Sequence, residues 1–321
     1  MIGTLNRFLL AMAAAVFLSA QGVKAEAPLN SPIAGPGDYR YTFYHGGLLR
    51  EYLVHIPRSW RRGTVSPVIL ALHGGGGDAD YMADDRNYGL ISKSEQVGFI
   101  AVFPNGVSPL ASGLLATWNG GKCCGAARDR NIDDVGFLKA VTARVLRQAG
   151  GDPARVYSVG MSNGGIMSYR LACDAAGMLA GIMAVAGTDN TRTCVPARPV
   201  PVLHIHAIND DHVLFYGGIG PAVSDPSSVT DFVSVPSTIA KWVRLDKAVL
   251  RKRRVVSVPG AYCDRHDRLA GGAPVQLCVT TSGKHSWPGA QVWRSNEPPS
   301  QAIKATDEMW TFFNNLRATA Q

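Results

Sequence analysis

The 321-residue sequence predicts an α/β fold, with a mostly parallel central sheet and helices on both faces. Short, nearly continuous apolar runs indicate strands that are buried on both faces. They alternate with stretches of helical length, which is typical of parallel strands joined by helices. The predicted strands are 67–72, 99–103, 156–159, 181–185 and 201–205, and the predicted helices are 81–96, 133–148, 164–175, 237–248 and 301–316.

Two further segments complete the predicted architecture. Residues 39–44 and 49–56 alternate apolar and polar side chains around Gly46-Gly47, which predicts an antiparallel hairpin at a sheet edge. Residues 106–130 are rich in glycine and are too long for a simple turn. We therefore expect residues 106–130 to form a surface insertion near the ligand site.

The amino terminus has the pattern of a secretory signal peptide. Residues 1–25 carry a positive charge at Arg7, an apolar run and a small-residue cleavage pattern that ends at Ala25. The run is shorter than the roughly 20 residues that a membrane-spanning helix needs. We therefore expect a secreted or periplasmic protein without a stable membrane anchor, in which residues 26–321 form a single domain.

The charge of the chain is moderately basic. Loss of Arg7 and Lys24 with the leader takes the net charge from +8 to +6. Residues 251–254 are consecutive basic residues, a pattern that is typical of a solvated edge or loop. No aromatic interleaving or groove-reading motif accompanies them, so we expect no nucleic-acid partner.

Six cysteines in an exported chain predict disulfides. Cys263 and Cys278 flank a predicted local hairpin and are expected to pair with each other. The neighbours Cys123-Cys124 would be strained if joined together, so we expect them to bridge outward to Cys173 and Cys194. A zinc site would need Cys-x-x-Cys spacing or a nearby histidine pair to support it, and neither accompanies these cysteines. We expect neither a metal nor another cofactor.

Ser162 occupies a position that favours nucleophilic chemistry. It lies in Gly160-Met161-Ser162-Asn163-Gly164, between a predicted buried strand and a predicted helix. The glycines allow the tight turn that exposes a serine hydroxyl above a sheet. A serine hydroxyl is a poor nucleophile at neutral pH, so it needs a histidine base and a carboxylate that orients this base.

His285 and Asp210 are the predicted partners of Ser162. In the strand-turn-helix arrangement around such a serine, the acid precedes the histidine along the chain. His285 follows the last strand pattern and precedes the last helix, whereas His266 lies in the hairpin and is expected at the surface. Asp210 and Asp211 both follow strand 201–205; we favour Asp210 and keep Asp211 as the alternative.

A glycine-rich turn, residues 73–77, follows strand 67–72 and predicts an oxyanion hole. One predicted donor is the N–H of Asn163, and the other is the N–H of Gly75 or Gly76. A phosphate-binding loop would need Gly-Lys-Ser/Thr, which is absent here. His73 is expected to orient the loop.

Two tryptophans, Trp118 and Trp287, flank the predicted site. Each could line an acyl pocket or simply pack in the interior, because aromatic side chains contribute large buried areas anywhere in a protein.

Six ordered motifs resemble one family of enzymes: HGGGG at 73–77, FPNG at 103–106, WNGGKCCG at 118–125, DDVGFL at 133–138, GMSNGG at 160–165 and HSWPG at 285–289. Over about residues 39–289 the chain resembles the bacterial polyhydroxybutyrate depolymerase and feruloyl esterase family of α/β-hydrolases. The resemblance implies the α/β-hydrolase fold, export, and a triad of Ser162, Asp210 and His285. It departs at residues 206–211, where the family usually has His-Gly, two small residues and Asp-Pro.

The sequence thus predicts a serine ester hydrolase that works through an acyl-enzyme. The resemblance implies hydroxyalkanoate esters or oligomers as substrates, with feruloyl and other hydroxycinnamoyl esters as the alternative. Only a closing helix is predicted after residue 289, so short-chain oligomers or soluble esters are expected rather than a crystalline polymer surface. A serine peptidase and a non-catalytic binding protein remain more distant alternatives.

Overall fold

The computed structural model describes residues 33–110, 113–292 and 297–318, so the predicted signal peptide lies outside the described residues. One sheet contains all ten strands of the described part: β1 (Gly37–His45), β2 (Leu48–Ile56), β3 (Ser66–Leu72), β4 (Ile100–Pro104), β5 (Gly151–Met161), β6 (Gly181–Val185), β7 (Val202–Ala207), β8 (Ala248–Val258), β9 (Ala261–Arg268) and β10 (Val275–Thr280).

The centre of the sheet is parallel, as predicted. Its strand order is β1-β2-β4-β3-β5-β6-β7-β10-β9-β8, and the strands from β4 to β10 in this order run in the same direction. Every residue of β3, β4, β6 and β7 is buried, which explains their continuous apolar runs. The predicted hairpin β1-β2 lies antiparallel at one edge, and β9-β8 lies antiparallel at the other.

Helices cover both faces of the sheet, as predicted. They are α1 (Ala79–Ala83), α2 (Asp85–Tyr88), α3 (Leu90–Val97), α4 (Gly125–Asp129), α5 (Asp134–Ala149), α6 (Asn163–Asp174), α7 (Val235–Leu245) and α8 (Ala305–Ala318). Buried side chains of α5, α6 and α7 form one apolar cluster with the sheet, and those of α1, α2, α3 and α8 form the other. The two clusters are the cores on opposite faces of the sheet.

The single helix predicted over 81–96 is wrong, because this segment forms parts of three short helices. Asp84 lies between α1 and α2 in extended conformation, and its carboxylate accepts a hydrogen bond from Arg86 N–H at 2.9 Å. Gly89 separates α2 from α3 in the left-handed conformation, at φ 65°. An N-capping carboxylate and a left-handed glycine are both helix boundaries.

The disulfide prediction is correct for one pair and wrong for the others. Cys263 and Cys278 face each other on β9 and β10 and are bonded, as expected. Cys173 is bonded to Cys194, with their Cα atoms 4.9 Å apart, so neither is available to an outside partner. Cys123 and Cys124 are bonded to each other instead, and both are buried.

The consecutive basic residues lie on the exposed edge strand β8, in agreement with the predicted solvated edge. Lys252 and Arg254 pair with Asp264, and Arg253 pairs with Asp267, so β9 supplies opposite charge to this edge. Across the described residues, no helix combines the length and the apolar character that crossing a membrane requires.

Candidate active site

Ser162 lies at the sharp turn between β5 and α6. Its backbone has φ 53° and ψ −118°, a conformation that is uncommon for a residue other than glycine. The Ser162 N–H donates to the Val185 carbonyl at 2.7 Å, which anchors the turn to β6. A Cβ added at Gly160 would overlap the backbone carbonyl of Gly164, so this turn requires glycine.

His285 joins the hydroxyl of Ser162 to the carboxylate of Asp210. The His285 Nε2 atom lies 2.8 Å from Ser162 Oγ, and Nδ1 lies 2.8 Å from Asp210 Oδ2. Asp210 follows β7, and His285 lies in the loop between β10 and α8. Residues separated by up to 123 positions therefore form one continuous row of hydrogen bonds.

Several donors hold Asp210 in its charged form. Its Oδ1 accepts hydrogen bonds from the backbone N–H groups of His212 and Val213, at 2.8 and 2.9 Å. Burial acts to raise the pKa of Asp210, but His285 and a hydrogen bond from His206 outweigh it and hold this pKa well below its ordinary value. Because the carboxylate can only accept, His285 Nδ1 carries the proton, and the lone pair of Nε2 faces Ser162.

Asp211, the alternative acid, has different partners. It pairs with His212 Nδ1 at 2.9 Å and with Lys284 Nζ at 3.1 Å. The structure therefore places Asp210, and not Asp211, against His285. His266 lies on β9 and donates from Nδ1 to the Val249 carbonyl, away from this row of hydrogen bonds.

The glycine-rich turn leaves one of the two proposed N–H groups available. The Gly76 N–H donates to the Ala116 carbonyl at 2.9 Å, so the prediction of Gly76 as an alternative oxyanion donor is wrong. The Gly75 N–H has no acceptor among the described residues, and Gly75 borders the same pocket as Ser162. Asn163 begins α6, where the first N–H groups have no intrahelical acceptor. Gly75 and Asn163 are thus the two candidate donors.

Trp118 is a support of this turn rather than a wall of the pocket. It is fully buried, and its backbone N–H donates to Asn163 Oδ1 at 2.7 Å, while Asn163 Nδ2 donates back to the Trp118 carbonyl at 3.0 Å. Its indole Nε1 donates to the His73 carbonyl at 3.0 Å. Of the two roles expected for Trp118, packing in the interior is therefore correct, and lining the acyl pocket is wrong.

His73 orients the glycine-rich loop, as expected. Its Nδ1 lies 2.8 Å from the Gly74 carbonyl and must donate to it. Its Nε2 accepts from the Gly106 N–H at 2.9 Å. The two contacts fix one neutral tautomer and connect the loop to the start of the predicted insertion 106–130.

Ser162 and His285 open into a pocket of about 790 Å³. Trp287 lines this pocket, which agrees with the pocket alternative for this residue. Sequence reasoning did not find the other apolar lining residues, because they come from separate helices and loops that meet only in the folded chain. They include Tyr81, Tyr88, Ile166, Val213 and Phe232. Cys124 also lines the pocket, and the bonded Cys123-Cys124 pair packs against Ile166, Val213 and Phe232.

Three groups of side chains in the described residues have the spacing of metal ligands. Two of them include disulfide cysteines, whose sulfur atoms are already bonded. The third consists of Asp210, His212 and His285, in which Asp210 and His285 are engaged in the hydrogen-bonded row. None of the three offers a free ligand set.

No family model matches the chain. It is 25% identical over 244 residues to feruloyl esterase B of Piromyces equi, a match that covers 74% of this chain and 42% of that protein. It is 29% identical over 174 residues to feruloyl esterase C of Emericella nidulans, with 53% and 58% covered. The chain therefore spans about half the length of these curated relatives.

The acetyl xylan esterase from Aspergillus awamori has a similar solved structure. The TM-score is 0.53 at 13% sequence identity, and the match covers 83% of this chain and 94% of that chain. At this identity the likeness concerns the fold. The chain thus has the α/β-hydrolase fold and resembles the feruloyl esterases and related ester hydrolases.

Proposed function

We propose that this chain is an exported serine carboxylic ester hydrolase that forms an acyl-enzyme on Ser162. The observation that carries the proposal is the row of hydrogen bonds from Ser162 through His285 to Asp210, which opens into an apolar pocket. Beside it lie the N–H groups of Gly75 and Asn163, which have no acceptor in the described part of the chain. These are the parts that acyl transfer requires: a nucleophile, an oriented base and donors for the oxyanion.

The first half of the reaction acylates the enzyme. The Ser162 oxygen attacks the ester carbonyl carbon while His285 Nε2 accepts the hydroxyl proton. The carbonyl oxygen becomes negative and receives hydrogen bonds from the N–H groups of Asn163 and Gly75, each worth about 3 to 4 kcal/mol in the transition state. The alcohol then leaves with the proton from His285, and the acyl group remains bonded to Ser162.

The second half of the reaction releases the acid. A water molecule enters the position of the departed alcohol and gives a proton to His285 Nε2 as its oxygen attacks the acyl carbonyl. The same two N–H groups receive the second oxyanion. The Ser162 oxygen then leaves with the proton from His285, which restores the starting state. Throughout the cycle, the charge on Asp210 stabilises the protonated form of His285.

We further propose a hydroxycinnamate as the acyl group. Tyr81, Tyr88 and Trp287 give the pocket an aromatic lining, which suits the flat face of a phenolic ring. The relatives named feruloyl esterase support the same class. Hydroxyalkanoate esters are the second candidate, because the aliphatic lining residues Ile166 and Val213 suit a short branched chain.

A substrate panel tests both levels of the proposal. We expect hydrolysis of both nitrophenyl acetate and methyl ferulate. We also expect kcat/KM to be higher for methyl ferulate than for short hydroxybutyrate oligomers. A matched peptide amide tests the peptidase alternative, and faster cleavage of the amide than of the ester would favour it.

A pair of serine variants tests the mechanism. The Ser162→Ala variant should lose activity and fluorophosphonate labelling, whereas Ser257→Ala, on the exposed edge strand β8, should keep both. Full esterase activity in Ser162→Ala would overturn the mechanism.

Export is part of the proposal. Three disulfides in the described residues support a compartment in which thiols are oxidised. Expression with residues 1–25 intact should give a protein outside the cytoplasm whose first residue is Glu26, as read by amino-terminal sequencing. Retention of residues 1–25 in the recovered protein would contradict cleavage at this site.

A further inference from the structure

A second row of hydrogen bonds lies behind Asp210. His206 Nε2 is 3.2 Å from Asp210 Oδ2, the oxygen that also accepts from His285 Nδ1. His206 Nδ1 is 3.0 Å from His204 Nε2, and His204 Nδ1 is 2.9 Å from the hydroxyl of Tyr169. Tyr169, His204 and His206 are all buried. None of them borders the pocket, so the proposed reaction does not use them directly.

The positions of the protons along this row follow from the acceptor at one end. His206 Nε2 lies 2.8 Å from the Val213 carbonyl, which can only accept, so Nε2 must carry a proton. In a neutral ring, His206 Nδ1 is then an acceptor, and His204 Nε2 must donate to it. His204 Nδ1 is in turn an acceptor for the Tyr169 hydroxyl. With both rings neutral, the hydrogen bonds of the row point from Tyr169 towards His206, whose Nε2–H donates to the Val213 carbonyl and lies 3.2 Å from Asp210 Oδ2.

The surroundings of His204 and Tyr169 favour this arrangement at the far end of the row. Burial, reinforced by the neighbouring His206, lowers the pKa of His204 well below its ordinary value. Burial also raises the pKa of Tyr169 well above its ordinary value, so its hydroxyl keeps the proton that it donates. His204 and Tyr169 therefore contribute fixed N–H and O–H dipoles rather than a mobile charge.

Both oxygens of Asp210 consequently have donors close to them. Its Oδ1 accepts from the N–H groups of His212 and Val213, and its Oδ2 accepts from His285 and faces His206. Val213 contributes twice, because its N–H binds Asp210 while its carbonyl binds His206. The His206 ring thus ties the loop after β7 to the carboxylate that this loop carries.

We propose that His206, held in one tautomer by His204 and Tyr169, is a positioning residue that orients the carboxylate of Asp210 towards His285. This inference rests on the proposed function. A purely structural role, in which the histidines only satisfy one another in the core, would affect stability but not the geometry of the acid.

The proton order can be measured without any activity. In protein labelled with nitrogen-15 histidine, two-bond proton–nitrogen spectra distinguish the two neutral tautomers, and the His204→Gln and His206→Gln variants assign the signals. We expect both rings to carry their proton on Nε2. A proton on Nδ1 of either neutral ring, or a doubly protonated ring at neutral pH, would overturn the proposal even if the esterase activity is confirmed.

Kinetics test the positioning role. Glutamine can place an N–H group near the position of Nε2, whereas leucine cannot donate. We expect His206→Leu to lower kcat for nitrophenyl acetate by about 10- to 100-fold, the factor of a hydrogen bond to a charged group, with KM changed less than about twofold. His206→Gln should recover most of this loss. Equal losses in the two folded variants, or a loss in KM alone, would overturn the positioning role.

A second pair of variants covers the case in which His206→Leu does not fold. His204→Leu leaves the His206 ring in place but removes the donor to its Nδ1, and His204→Gln restores an N–H group near that position. We expect kcat to be lower in His204→Leu than in His204→Gln at equal KM. Equal kcat values in folded protein would contradict the role of His204. If the wild-type protein itself hydrolyses no ester, the proposed function fails. The tautomer measurement still tests the proton positions on His204 and His206 in that case.

Discussion

Asparagine at position 210 should nearly abolish activity while keeping the shape of the side chain. The two oxygens of Asp210 face donors: backbone N–H groups of His212 and Val213 at Oδ1, and ring nitrogens of His206 and His285 at Oδ2, with His285 Nδ1 also 3.1 Å from Oδ1. An amide has one NH₂ group, which must face one of these two pairs. In either orientation, two favourable contacts are replaced by opposed donors.

The size of the effect follows from these contacts. Hydrogen bonds to a charged group are worth about 1.5 to 3 kcal/mol each, so the loss of two costs about 3 to 6 kcal/mol. If the NH₂ group faces His285, the ring must reverse its tautomer, and Nε2 can then no longer accept the proton of Ser162. We expect kcat of Asp210→Asn to fall by about 10⁴-fold, as in other serine triads that lose the acid in this way.

Asp211→Asn is the matched control. The Asp211 side chain is partly exposed and pairs with His212 and with Lys284. Such pairs contribute about 0 to 1 kcal/mol, so kcat should change by no more than about fivefold. Both variants should be assayed with nitrophenyl acetate and methyl ferulate, and circular dichroism should establish that they are folded. A larger loss in Asp211→Asn than in Asp210→Asn would refute the assignment of the acid.

Three further predictions concern the turn, the core and the pocket. Gly160→Ala should destabilise the protein by about 1 to 3 kcal/mol in urea unfolding, because its Cβ would overlap the Gly164 backbone, whereas Gly177→Ala, with open space around its Cβ, should not. Burial raises the pKa of Asp246 from 3.8 to about 8, so the folded state holds a proton that the unfolded state releases above about pH 4. Wild-type stability should therefore fall as the pH rises from about 4 to about 8, and Asp246→Asn should reduce that fall; equal pH slopes would contradict this reasoning. Phe232→Leu should raise KM for methyl ferulate by about twofold to tenfold through loss of an aromatic contact, with little change for nitrophenyl acetate.

The parts of the site that depend on local chain geometry could be predicted from the sequence. The turn at Ser162 requires glycines within two residues and a flanking strand and helix, all of which are visible in one short segment. Asp210 and His285 could be placed because parallel strands end at the same edge of the sheet, where the loops that follow β7 and β10 meet. The order of elements along the chain was sufficient for His285, but it left Asp211 as the alternative to Asp210, and only the contact with His285 distinguishes the two.

Other features depend on partners that are distant along the chain. The N–H of Gly76 is engaged by the carbonyl of Ala116, 40 residues away, and nothing near Gly76 indicates this contact. The outward bridges expected of Cys123 and Cys124 are wrong because Cys173 and Cys194, which are 21 positions apart, are bonded to each other. The walls of the pocket are equally non-local, since Tyr88 and Phe232 lie 144 positions apart.

The burial of Trp118 indicates that the first residue of the motif at 118–125 supports the site from the interior instead of lining the pocket. Its backbone binds the side chain of Asn163, and its indole binds the carbonyl of His73. Asn163 and the loop after His73 carry the two proposed oxyanion donors, which come from chain segments about 90 residues apart. A shift of either segment would change the separation of the donors, and catalysis depends on donors that are already in place before the charge develops. We therefore infer that Trp118, by binding both segments, holds the two donors at a fixed separation. This role explains why a large aromatic residue lies close to Ser162 without lining the pocket.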